Sequence, residues 1–274
     1  MPDNPGSNLR EDAENSFRRG DLPDCLQALQ AAVRKLPSDP ALRIFLSQVL
    51  MVQGDWERAL NQLQVIREMD ASALPMVHAY GAAIQCERLR AEVFAGNRAP
   101  LLFGEPSPWI ALQLQSLALL GDDQLRESAD ARAKAFELAP TTAGTMNGDT
   151  FEWIADADSR LGPVLEVFLN GAYYWVPFDR IASIDVEPPS DARDLVWLPA
   201  QFQWSNGGEA MGLIPVRYPG SELSDDPAIR MARKTEWREV GTDAYVGLGQ
   251  RILSTDGPEI GLLELRELRL VPAA

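Results

Sequence analysis

The sequence predicts an α+β chain, with a helical repeat array over residues 1–146 followed by a β-rich domain over residues 147–274. Three observations carry this. Apolar residues in the first half recur three and four apart, and one helical unit repeats. The run TTAGTMNGDT after Pro140 is small and polar, as a boundary between units is. Past it the chain divides into short β-type runs separated by Asn-Gly, Pro-Pro, Gly-Gly, Pro-Gly and Asp-Gly-Pro turns.

The repeat is the clearest local signal. Gly20-Asp21 recurs as Gly54-Asp55, a period of 34, and at the same offset Leu26 matches Leu60, Leu29 matches Leu63, Cys25 matches Ala59 and Phe17 matches Met51. That is the length of a tetratricopeptide-type (TPR-like) helix pair. Leu22, Cys25, Leu26, Leu29, Val33 and Leu36 form one buried stripe, and Trp56, Ala59, Leu60, Leu63 and Ile66 form its counterpart. Asp21 and Asp55 are placed to accept from the free N–H groups that open the following helix, and Asp39 before Pro40 is a second helix start. Further helices are expected near 72–95, 108–120 and 123–138, but Gly121 lies 67 residues after Gly54, so the array is degenerate. Three prolines in NRAPLLFGEPSP oppose helix and predict an irregular crossover.

In the second half the runs VLEVFLN, AYYWVPF, IASIDVE, DLVWLP, AMGLIPVRY, AYVGLGQRIL and IGLLELRELRL read as strands. Asn170-Gly171 is a hairpin signal, because both central positions of a type I′ turn need positive φ. ELRELRL alternates apolar and charged residues, as a strand with one wet face does. DDPAIRMARKTEW is expected to supply a helix or an irregular arm.

Composition narrows the function. The 25 basic and 40 acidic residues leave a net charge of -15, with 14 against 20 up to residue 150 and 11 against 20 after it, so neither half is basic. Such a chain repels phosphate backbones and anionic membrane faces, and neither nucleic acid nor a membrane is expected as a partner. No apolar run reaches the roughly 20 residues that cross a bilayer. Two cysteines, Cys25 and Cys86, fit a reducing cytoplasm better than a disulfide scaffold, and the N-terminus lacks the basic start and apolar stretch of a secretory signal.

No pattern of reactive residues emerges. The single histidine, His78, lies on an expected helix; one imidazole rules out a two-histidine metal site, and the cysteines are 61 residues apart with no CxxC pair. GxSxG and GxxxxGK[ST] are absent, and Gly247-Leu248-Gly249 sits between β-type runs rather than opening a helix. The pairs Asp122/Asp123, Asp156/Asp158 and Asp225/Asp226 read as solvated turn residues. No catalytic, metal or cofactor site is therefore expected. Two contact surfaces remain. One is the concave face of the stacked helix pairs, suited to an amphipathic helix. The other is a cluster of Tyr173, Tyr174, Trp175, Asp179, Arg193, Asp194 and Trp197, whose competing reading is a β core edged by a structural Arg and Asp.

The opening segment FRRGDLPDCLQALQAAVRKLPSDPALRIFLSQVLMVQGDWERAL, then YYWVPFDRI, then RDLVWLPAQFQW with GLIPVRYPGS, then GLGQRIL and LLELREL, together resemble the TagJ/ImpE family of type VI secretion accessory proteins, also described as SciE-type virulence proteins. The likeness spans nearly the whole chain, and its specific part is the second half, an ImpE-type β-rich domain. The resemblance implies a cytoplasmic, non-enzymatic adaptor that binds the small subunit of the contractile sheath through that subunit's N-terminal helix. It further implies a link to the ClpV-type AAA+ ATPase that disassembles the contracted sheath. It carries over no catalytic residue. A general TPR-type scaffold unrelated to secretion, and an enzyme with an unrecognised site in the C-terminal domain, are the alternatives; a homo-oligomer is compatible with each.

Overall fold

Residues 5–241 and 244–271 are described by the structure, a computed structural model. Helices α1 (Pro5–Arg19), α2 (Leu22–Lys35), α3 (Pro40–Val52) and α4 (Trp56–Met69) form two antiparallel pairs, followed by the long α5 (Leu74–Phe94) and a third pair, α6 (Pro108–Gly121) and α7 (Leu125–Leu138). The Gly-Asp corners work in two parts. Gly20 and Gly54 adopt φ of +84° and +72°, which costs a glycine little, and end the first helix of each pair. Asp21 and Asp55 then accept from the N–H groups of Asp24 (3.1 Å) and Arg58 (3.3 Å). Asp39 caps α3 through the Ala41 N–H at 2.9 Å, with Pro40 preset at the first helical position.

The crossover after α5 is less irregular than its prolines suggest. Leu101–Leu102 forms β1, which pairs in parallel with β6 (Ala172–Pro177), so the helical half contributes an edge strand to the main sheet. The polar run TTAGTMNGDT also contains structure. Gly144–Met146 (β2) and Asp149–Phe151 (β3) form a tight hairpin around Asn147 and Gly148, both at positive φ. It is a second Asn-Gly turn of the kind read at Asn170-Gly171, where φ is +50° and +78°.

The remaining elements are β4 (Ile154–Asp156), β5 (Val164–Leu169), β7 (Ile181–Asp185), β8 (Trp197–Trp204), β9 (Glu209–Pro215), a short α8 (Pro227–Arg230), β10 (Thr235–Glu239), β11 (Tyr245–Gly249), β12 (Ile252–Thr255), β13 (Ile260–Gly261) and β14 (Glu267–Leu270). Nine strands make one sheet in the order β1-β6-β5-β9-β8-β7-β14-β2-β3; β13-β12-β4 and β10-β11 form two smaller sheets. The large sheet keeps two edges, β1 and β3, and so does not close through its own ladder among the described residues.

Strand alternation sorts the side chains onto two cores. On β6, Tyr173 and Trp175 join the helix-side cluster, which also holds Leu29, Leu50, Ile66 and Ile84, while Tyr174 and Val176 join the opposite one. That second cluster runs from Val176 on β6 to Phe151 on β3, so the sheet curls around it. Trp153, Leu223 and Met211 are among the large apolar residues left in water.

Candidate contact surfaces and the buried junction

The helical array and the sheet meet through aromatic rings. Trp56 at the start of α4 stacks on Trp197 at 6.0 Å, Tyr80 of α5 approaches the same indole at 6.4 Å, and Phe94 approaches Trp175 at 6.1 Å. The short helical turn Ala192–Leu195 packs against α3, so the chain fills part of its own concave face.

Beneath these rings lies a continuous buried ionic network. Glu166, in the middle of β5, takes a two-point bond from Arg90 of α5 (Nε and Nη2, both 2.7 Å), a contact from Arg251 at 3.2 Å and the hydroxyl proton of Tyr173. Tyr173 in turn accepts from the indole N–H of Trp175 at 2.7 Å. Arg251 also binds Asp156 at 2.6 Å, and Asp156 accepts from Tyr218 at 3.1 Å. Arg217 donates to the carbonyl oxygens of Val52 and Arg230, both at 2.6 Å, tying the end of α3 to the sheet domain. Glu87 accepts from the Trp197 indole at 2.8 Å. Burial alone raises a carboxyl pKa. At Glu166 burial pushes in that direction, but Arg90, with Arg251 and the Tyr173 hydroxyl, outweighs it and holds the group below its ordinary value. At Asp156 burial prevails over Arg251 and lifts the carboxyl to about 6.

This network has the perturbed groups of a reactive centre, but its side chains are buried: Asp156 touches the lining of one surface depression with its carboxylate covered and bound to Arg251. Glu166, Arg90 and Arg251 line none of the principal depressions of the surface, and each of their charges is spent on a neighbouring charge or carbonyl. It is an interlock between helices and sheet. Burial raises the thiols of Cys25 and Cys86 to about 12, which leaves them inert. No group of three or more His, Cys, Asp and Glu side chains gathers to hold a metal among the described residues. No described helix is long and apolar enough to cross a membrane.

Of the residues singled out from the sequence, Tyr173, Trp175 and Trp197 are fully buried on the helix side, where they serve the junction. Tyr174 is half-buried on the opposite face, edge-on to Phe103 at 6.3 Å. Arg193 and Asp194 pair at 2.7 Å on the Ala192–Leu195 turn, beside Trp197; Arg193 stacks over Tyr80, and Asp194 accepts from the N–H groups of Ser190 and Asp191. Asp179 lies apart, on the turn after β6 beside Arg180, and burial raises its pKa against the pull of that arginine. The network residues Glu166 and Arg217 carry a signal in the sequence, since each interrupts an apolar strand run, in VLEVFL and GLIPVRY, whereas Arg251 follows Gly-Gln and carries none. Asp156 and Asp158, read from the sequence as solvated turn residues, are instead buried and bound to Arg251 and Arg160.

The open part of the concave face is a trough of about 500 Å³ between α1, α3, the 189–195 segment and Arg233. Phe17, Ile44, Phe45 and Leu195 supply its apolar surface, with Phe17 and Phe45 edge-on at 5.9 Å. Arg10, Arg18 and Arg233 rim it against Glu14 and Asp191, and Arg233 is fixed by donating to the carbonyls of Phe17 and Arg18 at the end of α1.

Fold and surfaces together define a class: a TPR-type helical array locked onto a curled sheet, offering grooves for partners. A tetratricopeptide repeat model matches residues 16–84, and the ImpE protein model matches residues 148–269. The chain is 49% identical over 260 residues to the type VI secretion system accessory component TagJ of Pseudomonas aeruginosa, covering 95% of this chain and 91% of that protein. The crystal structure of protein VPA1032 from Vibrio parahaemolyticus shares the fold with a TM-score of 0.85 at 24% identity, over 94% of this chain and 97% of that one. The chain belongs to the TagJ/ImpE family of type VI secretion accessory proteins.

Proposed function

We propose that the protein is a non-enzymatic, cytoplasmic adaptor of a bacterial type VI secretion system that binds the small subunit of the contractile sheath through that subunit's N-terminal helix. In this role it works beside the ClpV-type ATPase that disassembles the contracted sheath. The observation that carries the reading is the trough on α1 and α3, which joins an apolar strip of Phe17, Ile44, Phe45 and Leu195 to a charged rim. A helix docks by seating a few side chains of one face, spaced i, i+3, i+4 and i+7, in such a groove while its polar face stays wet. The bond from Arg217 that ties the end of α3 to the sheet domain supports this reading, since a preformed groove spends little binding energy on ordering.

The experiment is capture of the protein by purified sheath heterodimer. Binding is expected with the intact heterodimer and lost when the small subunit's first helix is deleted. Ile44→Asp, which places a charge on the half-buried wall of the trough, is expected to weaken binding by roughly tenfold or more, equivalent to about 1.4 kcal/mol. Capture that survives both changes would refute the reading.

A further inference from the structure

A second depression, about 760 Å³, opens between the β10–β11 hairpin and the outer face of the β13-β12-β4 sheet, and shares no lining residue with the α1/α3 trough. Its floor is made of Ile252 and the small residues Ala155, Ser254 and Gly261, on the face opposite Ile154 and Leu253, which enter the core. Trp153, Trp237 and Tyr245 line it while remaining 40%, 42% and 47% exposed. Three large aromatics gathered at one exposed depression are the composition of a recognition surface rather than of ordinary solvent-facing sheet.

The backbone beside it is asymmetric. Val240 N–H donates to the Ala244 carbonyl and Gln250 N–H to that of Lys234, which sets the hydrogen-bonded pairs at the even positions of β10. The backbone groups of Thr235, Trp237 and Glu239 therefore face away from β11, and no strand pairs with that edge among the described residues. The outward N–H groups of β11 are closed instead by side chains, Tyr245 by Ser159, Gly247 by Asp158 and Gly249 by Ser221. One edge of the hairpin is capped and the other is left open.

Charge says what fits there. No Lys or Arg lines the depression; Asp156 borders it with its carboxylate on the core face, spent on Arg251, and Glu259, held by the Ser254 hydroxyl at 2.6 Å, has no cationic partner among the described residues. With a net charge of -15 on the chain, nucleic acid and anionic lipid are repelled and a cation beside aromatic faces is favoured. We propose that the β10 edge and this depression dock an extended segment of a protein partner, which adds as a strand along β10 and seats a Lys or Arg among Trp153, Trp237 and Tyr245 toward Glu259. Main-chain bonds to β10 supply the register and the aromatic-acidic depression supplies the specificity. The site does not depend on what occupies the α1/α3 trough.

Selection of phage-displayed random dodecapeptides on the full-length chain, followed by fluorescence anisotropy of the enriched peptides in synthetic form, tests this. Enriched sequences are expected to carry Lys or Arg among apolar residues. Their Kd is expected to weaken about tenfold or more with Glu259→Lys and with Glu239→Pro, which removes an outward N–H from an edge strand, and to change less than about twofold with Ile44→Asp in the other trough. Circular dichroism establishes that each variant is folded; if Glu239→Pro is not, Trp237→Ser reads the same surface. Failure to enrich any peptide, enrichment of acidic or uncharged ones, or a Kd indifferent to Glu259→Lys overturns the proposal.

Discussion

Asp156 is one of the residues through which pH reaches the buried network between helices and sheet. Its carboxyl is lifted to about 6 by burial, against the pull of Arg251, whereas in an unfolded chain it titrates near 3.9. Between those values the folded state holds the proton and the unfolded state does not. The stability this group contributes is therefore complete below about pH 4 and is lost as the pH rises through 6. Carboxylates with lowered pKa values, such as Glu166, act in the opposite sense, so the measurable quantity is a difference. The unfolding free energy of the wild-type chain minus that of Asp156→Asn, from urea titrations at pH 4 to 7, is expected to fall by roughly 2–3 kcal/mol across that range. A difference that stays level would mean that Arg251 keeps the carboxylate ionised throughout.

At the scale of elements, the glycines of GLGQRI have a packing role. Gly247 lies in β11 with the fully buried Tyr218 ring against its α-carbon, and a methyl group there would come within 2.2 Å of the ring. Tyr218 is held in place by Asp156 and by the Ile252 N–H, so it has nowhere to retreat. Gly247→Ala is expected to destabilise the chain by about 1–3 kcal/mol or more, read as a lower urea midpoint with unchanged slope; an unchanged midpoint would show that the hairpin lifts freely. The reason for Gly247 thus lies in a residue 29 positions earlier, whereas Gly249, at φ +92°, has the Lys234 carbonyl where a methyl group would stand. The same distinction explains what else was legible. Gly-Asp corners, Pro40 and the Asn170-Gly171 turn act on their own backbone within a few residues, and each appears in the structure as its chemistry dictates. The Asn147-Gly148 hairpin was hidden by the polar residues around it, and β1 by the prolines around it. The ionic network pairs residues 76 and 95 positions apart, Arg90 with Glu166 and Arg251 with Asp156, which no local period encodes. The open trough depends on how far the Ala192–Leu195 turn intrudes between helices, which is likewise a tertiary property.

For the whole molecule, the change of periodicity near residue 146 falls inside one continuous core rather than at a gap. The helix-side cluster contains Leu29, Ile66 and Ile84 from the first half together with Leu161, Trp175, Val196 and Trp197 from the second. Arg217 and Arg90 bind across the same boundary, and β1 places a strand of the first half on the edge of the sheet. Separating the halves would expose Trp56, Tyr80 and Phe94 on one side and Trp175 and Trp197 on the other, and would leave Glu166 without Arg90. Losing Arg90 leaves Glu166 only Arg251 at 3.2 Å and the Tyr173 hydroxyl, and breaking a buried pair of this kind costs several kcal/mol, a large share of the total stability of a domain. Unfolding is accordingly expected to be one cooperative step: far-ultraviolet circular dichroism, which follows the helices, and tryptophan fluorescence, which follows the junction and the sheet, should give the same urea midpoint. A fragment of residues 1–146 should keep helical signal but bind a hydrophobic dye and self-associate through the uncovered aromatic face. Two separated midpoints, or a monomeric fragment that binds no dye, would show that the array stands alone and that the interlock contributes little to it.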